Sequence, residues 1–308
     1  MKIVVTGATG FIGSALVPAL LARGDEVTVL TRAVDRAKAS LGAVTAIQAN
    51  LEEPGSWGAA LAGAGAILHL AGESIAGKRW DARQKQVLRD SRVEVTRTLV
   101  EAIATLPAAE RPRALISASG TDYYPFALDV QFDDDEVTEQ DAPSESFLGR
   151  LCRDWEREAT AATTLGVRVA CMRTGIVLGP GGALGKMRTP FKLFVGGRIG
   201  SGKQFVSWIH IDDAVAAYVA AAHDDRYRGP INLVTDSVRN REFSALLGKA
   251  LHRPSWLPVP GFAVKAAVGE LAEYLLEGRR VVPKRLVELG FQWKHRDLGE
   301  ALRTAVVP

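Results

Sequence analysis

The seven residues Gly7-Ala8-Thr9-Gly10-Phe11-Ile12-Gly13 constrain this chain more than any other stretch. They follow the short apolar run Ile3-Val4-Val5. They precede Leu16, Leu20 and Leu21, which recur at helical spacing. A strand, a glycine turn and a helix in that order make the opening unit of a dinucleotide-binding fold. The first glycine permits the tight turn, the second lets backbone approach a pyrophosphate, and the third lets helix and strand pack closely. The helix N-terminus then offers free N–H groups and a positive dipole end to phosphate oxygens. Gly7, Thr9, Gly10, Phe11, Ile12 and Gly13 are therefore the expected phosphate-binding residues.

The second strand, Val27-Thr28-Val29-Leu30, decides which dinucleotide. A carboxylate at its end would accept a hydrogen bond from the ribose 2′-hydroxyl. Here the strand ends Thr31-Arg32. A guanidinium cannot accept from a hydroxyl but suits a 2′-phosphate, with Thr31 as a second donor. Arg36 and Lys38 stand close by. The expected cofactor is NADP(H). Asn50-Leu51 follows the third strand, Val44 to Ile47, where an adenine contact falls. Leu70-Ala71-Gly72 follows the fourth, Ala66 to Leu70, where small residues let the pyrophosphate and ribose pass.

A long helical stretch from about Ala82 to Ala104 leads to a fifth strand, Ala114-Leu115-Ile116-Ser117. A helix over about Phe147 to Leu165 leads to a sixth, Val167 to Arg173. Short apolar strands alternating with helices predict an α/β fold with a doubly wound parallel sheet. After Thr174 the pattern changes to glycine-rich loops and proline-broken helices. The reading is a Rossmann domain over residues 1–174, to which about 203–236 return, and a smaller α/β lobe over 175–308. Within the latter, Trp208-Ile209-His210-Ile211 reads as a strand and Asp212 to His223 as a helix starting on an aspartate cap.

A net charge of +3 over 308 residues gives no global case for nucleic-acid or membrane-surface binding. No stretch approaches the ~18 apolar residues of a bilayer span. The first apolar run meets glycine at once, unlike a signal peptide. Two cysteines, Cys152 and Cys171, fit a reducing compartment, and the expectation is a cytoplasmic protein. The five histidines show no metal spacing. Gly197-x-x-x-x-Gly202-Lys203 mimics a P-loop, but Gln204 stands where a hydroxyl is required. The run Asp133-Asp134-Asp135-Glu136 reads as a solvated loop.

Further stretches carry a resemblance. Gly7-x-x-Gly10-x-x-Gly13, His69-Leu70-Ala71-Gly72 and Ile116-Ser117-Ala118-Ser119 resemble the extended short-chain dehydrogenase/reductases. Lys78-Arg79-Trp80, Ser91-Arg92, Arg153-Asp154-Trp155-Glu156, Arg173-Thr174-Gly175-Ile176-Val177-Leu178-Gly179 and Ser207-Trp208-Ile209-His210-Ile211-Asp212-Asp213 narrow it. So do Leu251-His252-Arg253-Pro254 and Pro283-Lys284-Arg285-Leu286. Together they are similar to the YfcH-like NAD(P)-dependent epimerase/dehydratase family, once labelled SulA-like, over essentially the whole chain. The resemblance implies a Rossmann fold with NADP(H), and a family whose physiological reaction is not established.

In that superfamily a Ser or Thr polarises the substrate, a Tyr moves the proton, and a Lys four residues on lowers the Tyr pKa. Ser119 matches the serine. Aligning Glu156 with the glutamate common in the following helix puts Leu148 at the Tyr position and Cys152 at the Lys position. Neither can do that chemistry. Tyr123 and Tyr124 lie close after Ser119, and Tyr124 is the candidate for proton transfer. Cys152 has no histidine near it in sequence to activate it as a nucleophile. Arg92, where related enzymes often carry Asn, and Arg173 are candidate contacts to cofactor or substrate. Lys186, Arg188 and Lys192 either read an anionic small-molecule substrate or stand solvated. Two functions follow: an NADP(H)-dependent oxidoreductase or epimerase with a non-standard site, or a non-catalytic NADP(H) sensor.

Overall fold

The computed structural model describes residues 1–53, 55–125 and 134–306, so Asp133 of the acidic run lies outside the described residues. Strands β1 (Lys2–Thr6), β2 (Glu26–Thr31), β3 (Thr45–Gln48), β4 (Ala66–His69) and β5 (Ala114–Gly120) alternate with helices α1 (Phe11–Ala22), α2 (Val34–Leu41), α3 (Ala82–Asp90) and α4 (Val93–Ala104). Then come β6 (Glu136–Val137), α5 (Phe147–Thr160), β7 (Arg168–Thr174), β8 (Ile176–Leu178), α6 (Gly182–Lys192), β9 (Phe205–His210), α7 (Ile211–His223) and β10 (Gly229–Leu233). The chain closes with β11 (Asp236–Arg239), α8 (Asn240–Ala250), α9 (Gly261–Val268), α10 (Leu271–Leu276), β12 (Arg280–Val281), α11 (Lys284–Glu288) and α12 (Leu298–Val306).

Seven strands form one parallel sheet in the order β10-β7-β5-β4-β1-β2-β3. The winding reverses between β1 and β4, and the glycine turn leaves β1 at that switch point. Ligands of open α/β sheets bind there. Side chains alternate along β1: Ile3 and Val5 enter the core shared with α1 and α7, while Val4 enters the core on the other face. Burial on both faces explains the continuous apolar run that marked this strand in the sequence. The architecture is the expected doubly wound parallel sheet with a smaller C-terminal α/β lobe.

Within residues 203–236, α7 and β10 pack with the large sheet, but β9 belongs elsewhere. It pairs with β8 and β11 in a three-stranded sheet, and β12 pairs with β6 in a two-stranded one. A separate apolar core under α8 and α12, with Trp208 and Phe243 at its centre, holds the lobe together.

Two local expectations are corrected. The stretch from Ala82 to Ala104 is two helices, broken at Ser91 and Arg92. Ser91 Oγ donates to the Leu88 carbonyl and accepts the Glu73 N–H, and Arg92 Nη2 donates to the Glu73 carbonyl at 2.8 Å. Those side chains tie the break to the loop after β4. The helix α7 is capped by His210, not Asp212: His210 Nδ1 accepts the Asp212 N–H at 3.2 Å. Asp212 and Asp213 fall in the first turn, where carboxylates suit the helix dipole.

Candidate functional site

The glycine turn is a tight cradle. Gly7 has φ of +69°, and a Cβ there would stand 2.6 Å from the Leu70 carbonyl carbon. A Cβ on Gly13 would stand 2.4 Å from the Gly7 carbonyl oxygen, so only glycine lets α1 close onto the turn. Gly10 is the α1 N-cap and has no side chain to occupy the first N–H groups of the helix. By helix geometry those groups point outward without intrahelical partners. A pyrophosphate suits that donor set.

Arg32, at the end of β2, is exposed, and among the described residues its guanidinium has no ion-pair or hydrogen-bond partner. Thr31 Oγ1 accepts the Ala33 N–H, which shapes the turn beneath it. Asn50 Oδ1 accepts the Glu52 N–H and orders the loop after β3, beside half-buried Leu51. Gly72 lies under Arg92: a Cβ there would meet the guanidinium carbon at 3.2 Å. Behind the cradle, buried His69 bridges Thr6 and Thr96 at 2.7 and 2.9 Å. Thr96 spends its hydrogen on the Arg92 carbonyl, so His69 Nε2–H donates to Thr96 and Nδ1 accepts from Thr6. Burial lowers the His69 pKa to about 4, so the ring is a neutral brace.

Ser119 and Tyr124 are committed to a network behind the site. Ser119 Oγ donates to Glu156 Oε1 at 2.7 Å. Glu156 also takes a two-pronged ion pair from Arg173, through Nε and Nη2, each at 2.8 Å. Arg173 is 2% exposed, stacks on the Tyr123 ring at 3.5 Å and donates to the Tyr124 hydroxyl. Tyr124 in turn donates to Asn232 Oδ1 at 2.6 Å and is 1% exposed. Burial drives its pKa up, against the opposing pull of Arg173. This phenol keeps its proton in structure. Glu156 does the work that sequence reasoning had used only for alignment: it fixes Arg173.

Helix α5 carries Leu148 and Cys152 inward, 2% and 5% exposed. Burial pushes the Cys152 thiol up to about 12, which leaves no thiolate near neutral pH. The Leu148 N–H donates to the Tyr274 hydroxyl at 3.0 Å, which ties α5 to α10.

A cavity of about 620 Å³ opens between the two parts of the molecule. Its wall includes Phe11 and Ile12 beside the glycine turn, Thr121, Asp122 and Leu148, and Glu277 and Arg279 of the lobe. Asp122 sits beside Gly120, whose missing Cβ would lie 3.4 Å from Asp122 Oδ2 and 3.6 Å from Cys152 Sγ. Burial raises the Asp122 carboxyl to about 6, although the Arg92 charge pulls the other way. Of the cations expected to read an anion, Lys186 lines the cavity, with its ammonium donated to the Ala76 carbonyl; Arg188 and Lys192 are not in the wall.

Residues 3–233 match the model of the NAD dependent epimerase/dehydratase family, and residues 259–305 match a domain of unknown function, DUF1731. The chain belongs to the NAD dependent epimerase/dehydratase family. It is 41% identical over 305 residues to an Arabidopsis thaliana relative, the chloroplastic epimerase family protein SDR39U1 homolog, covering 98% of this chain and 86% of that one. It is 41% identical over 303 residues to epimerase family protein MT2273 of Mycobacterium tuberculosis, covering 97% and 96%. Human epimerase family protein SDR39U1, isoform 2, crystallised with NADPH, superposes with a TM-score of 0.85 at 35% identity, covering 99% of both chains.

Asp122 is a cavity-lining carboxyl that sequence reasoning missed. In Thr121-Asp122-Tyr123 it looks like an ordinary turn residue. Only the fold brings Arg92 and Cys152 within electrostatic reach of it and puts Leu148 in the same cavity wall. Among the described residues no helix is long and apolar enough to cross a membrane.

Proposed function

We propose that this chain is an NADP(H)-dependent oxidoreductase acting on a carbonyl or carbinol held in the cavity, with Asp122 in place of the usual phenol. The glycine cradle would hold the pyrophosphate, Arg32 the 2′-phosphate, and Asn50, Leu51, Leu70, Ala71, Gly72 and Arg92 the adenosine and ribose path. The bound cofactor would supply or take up the hydride. The observation that carries the reading is Asp122: a carboxyl with a pKa near 6, on the wall of a cavity that Phe11 and Ile12 of the glycine turn also line. In reduction, its carboxyl O–H donates to the substrate oxygen and the carboxylate left behind faces the Arg92 charge. In oxidation the same oxygen accepts the carbinol proton. An acid near the working pH serves both directions.

Ser119 and Tyr124 hold Glu156, Arg173 and Asn232 in place in this reading, and so shape the wall rather than move the proton. The test is a carbonyl screen that follows NADPH absorbance, run on wild type, Asp122→Asn and Ser119→Ala. We expect turnover to drop ~100-fold or more in Asp122→Asn, the usual scale for losing a general acid. Unchanged turnover in Asp122→Asn would remove it from the chemistry. Tight NADPH binding with no turnover of any carbonyl would favour the sensor, a reading the Leu148 and Cys152 positions support.

A further inference from the structure

Away from the cavity, two histidines meet where α7 joins the end of the chain. His210 closes β9, and His295 lies between α11 and α12. Their rings stack with centroids 3.8 Å apart, and the two residues are 4% and 7% exposed. Two partners fix the charge of His210. Its Nδ1 accepts the Asp212 N–H that caps α7. Thr304 Oγ1, on α12, gives its hydrogen to the Ala301 or Glu300 carbonyl. Its contact with His210 at 3.3 Å is therefore a donation from Nε2–H. A ring that accepts at one nitrogen and donates at the other is neutral.

A second proton on His210 has only Nδ1 to go to. There it would take the lone pair that holds the Asp212 N–H and set donor against donor. It would also put a positive charge against the stacked His295 ring. The charged and titratable groups facing His210 are Asp212 and Asp213 on α7, and Lys294 and His295 on the closing segment. From α12 it meets the Thr304 hydroxyl. The two carboxylates favour a proton on His210, but both are already engaged. Asp212 Oδ2, 3.7 Å from His210 Nδ1, accepts from Lys294 Nζ and His295 Nε2. Asp213 accepts the Lys294 and His295 backbone N–H groups. Burial, and then His295, hold the His210 pKa below its ordinary value.

We propose that the His210–His295 stack is an acid-released clasp, in which a proton on His210 uncaps α7 and frees residues 293–306 from it. Closed, the clasp excludes the proton. Open, the ring takes it up at the ordinary pKa of 6.5. Opening is thus independent of pH well above 6.5. Below that it is favoured by up to about tenfold per pH unit, until the closed form itself titrates. What the clasp holds reaches the cavity. His210 pairs with Leu178 of β8. The next residue, Gly179, lies against Phe11 of the glycine turn and against Ile211, where a Cβ would stand 2.8 and 3.2 Å away. At its other end β9 puts Phe205, Val206 and Ser207 in the cavity wall.

The test is hydrogen exchange of the full chain read by mass spectrometry at pH 7.5, 6.5 and 5.5. Rates are corrected for the intrinsic pH dependence of exchange, and EDTA is present so that no bound cation contributes. In wild type, protection of residues 293–306 is expected to fall about twofold at pH 6.5 and about fivefold or more at pH 5.5. His210→Asn keeps an oxygen that can cap α7 but cannot titrate. Its protection at pH 7.5 should stay within about threefold of wild type, and its fall by pH 5.5 should shrink to about twofold or less. Peptides from β1 and β4 report any pH effect shared by the whole fold, which is subtracted. Where His210→Asn does not hold its fold, His295→Gln, which keeps a donor to Asp212 but carries no charge, should show a smaller fall than wild type. Protection that is flat from pH 7.5 to 5.5 in wild type overturns the clasp, and so does an undiminished fall in the variant.

Discussion

Arg32 and Asp122 are single side chains, and each makes a separable claim. Arg32 is exposed and unpaired among the described residues, so its removal leaves no buried partner behind. Arg32→Asp is expected to weaken NADPH binding at least ~10-fold, about 1.4 kcal/mol, and to affect NADH far less. Calorimetry with both cofactors checks it, and an unchanged NADPH affinity removes Arg32 from the 2′-phosphate. Asp122 makes a claim about pH. Its acid form is the one that donates, and its pKa lies at about 6. Carbonyl reduction, read as kcat/KM, should therefore fall about tenfold per pH unit above that point. Oxidation of the carbinol needs the carboxylate and should rise through the same point. A profile for reduction that is flat from pH 5 to 8 would contradict the assignment. The two residues differ in how visible they were. Arg32 closes a strand whose position is set by local pattern, so its candidacy was legible. Asp122 has no local signature, because its pKa comes from burial and from Arg92, thirty residues earlier in the chain.

At the scale of elements, β1, β4 and α4 are joined behind the cradle by one ring. His69 accepts from Thr6 and donates to Thr96, and it is fully buried. Its folded pKa is lowered to about 4 from an ordinary 6.5. Above 6.5 neither the folded nor the unfolded chain binds a proton there. As pH falls below 6.5 the unfolded chain takes up the proton first, so stability is lost from 6.5 down to about 4. The loss is about 3 kcal/mol at most. Urea denaturation at pH 7.5 and pH 4.5 should show it, and His69→Gln should show a smaller pH dependence than wild type. Equal dependence in the two proteins would place the titration elsewhere. The strands on which this rests were legible, since a continuous apolar run bounded by glycine marks a doubly buried strand. The break at Ser91 and Arg92 was not, because helical periodicity runs through it and the cause is a contact with Glu73 across space. Likewise β9 read as a strand, but nothing local showed that it pairs with β8 and β11.

Over the whole molecule, the cavity wall draws residues from both the glycine turn and the lobe, so the position of the lobe shapes it. One link between the two parts stands out for its burial. Asp213, in the first turn of α7, is 1% exposed. Its two carboxylate oxygens accept the Lys294 and His295 backbone N–H groups at 2.7 and 3.0 Å. The neighbouring Asp212 binds Lys294 Nζ and His295 Nε2, both at 2.9 Å, but it is open to solvent. These adjacent carboxylates should differ sharply in worth. Hydrogen bonds to a charged group contribute about 1.5–3 kcal/mol each, and the loss is greatest where two buried N–H groups are left without an acceptor. Exposed pairs contribute about 1 kcal/mol or less. Asp213→Ala is therefore expected to cost about 3–5 kcal/mol, and Asp212→Ala about 1 kcal/mol. Denaturant titration gives both values. Proteolysis adds a readout specific to the link, with the segment after about residue 290 cut earlier in Asp213→Ala. Equal costs for the two substitutions would mean that burial of the link does not set its strength. If Asp213→Ala also slows carbonyl turnover without changing NADPH affinity, the carboxylate acts by holding the lobe over the cavity, and the cradle folds independently of it.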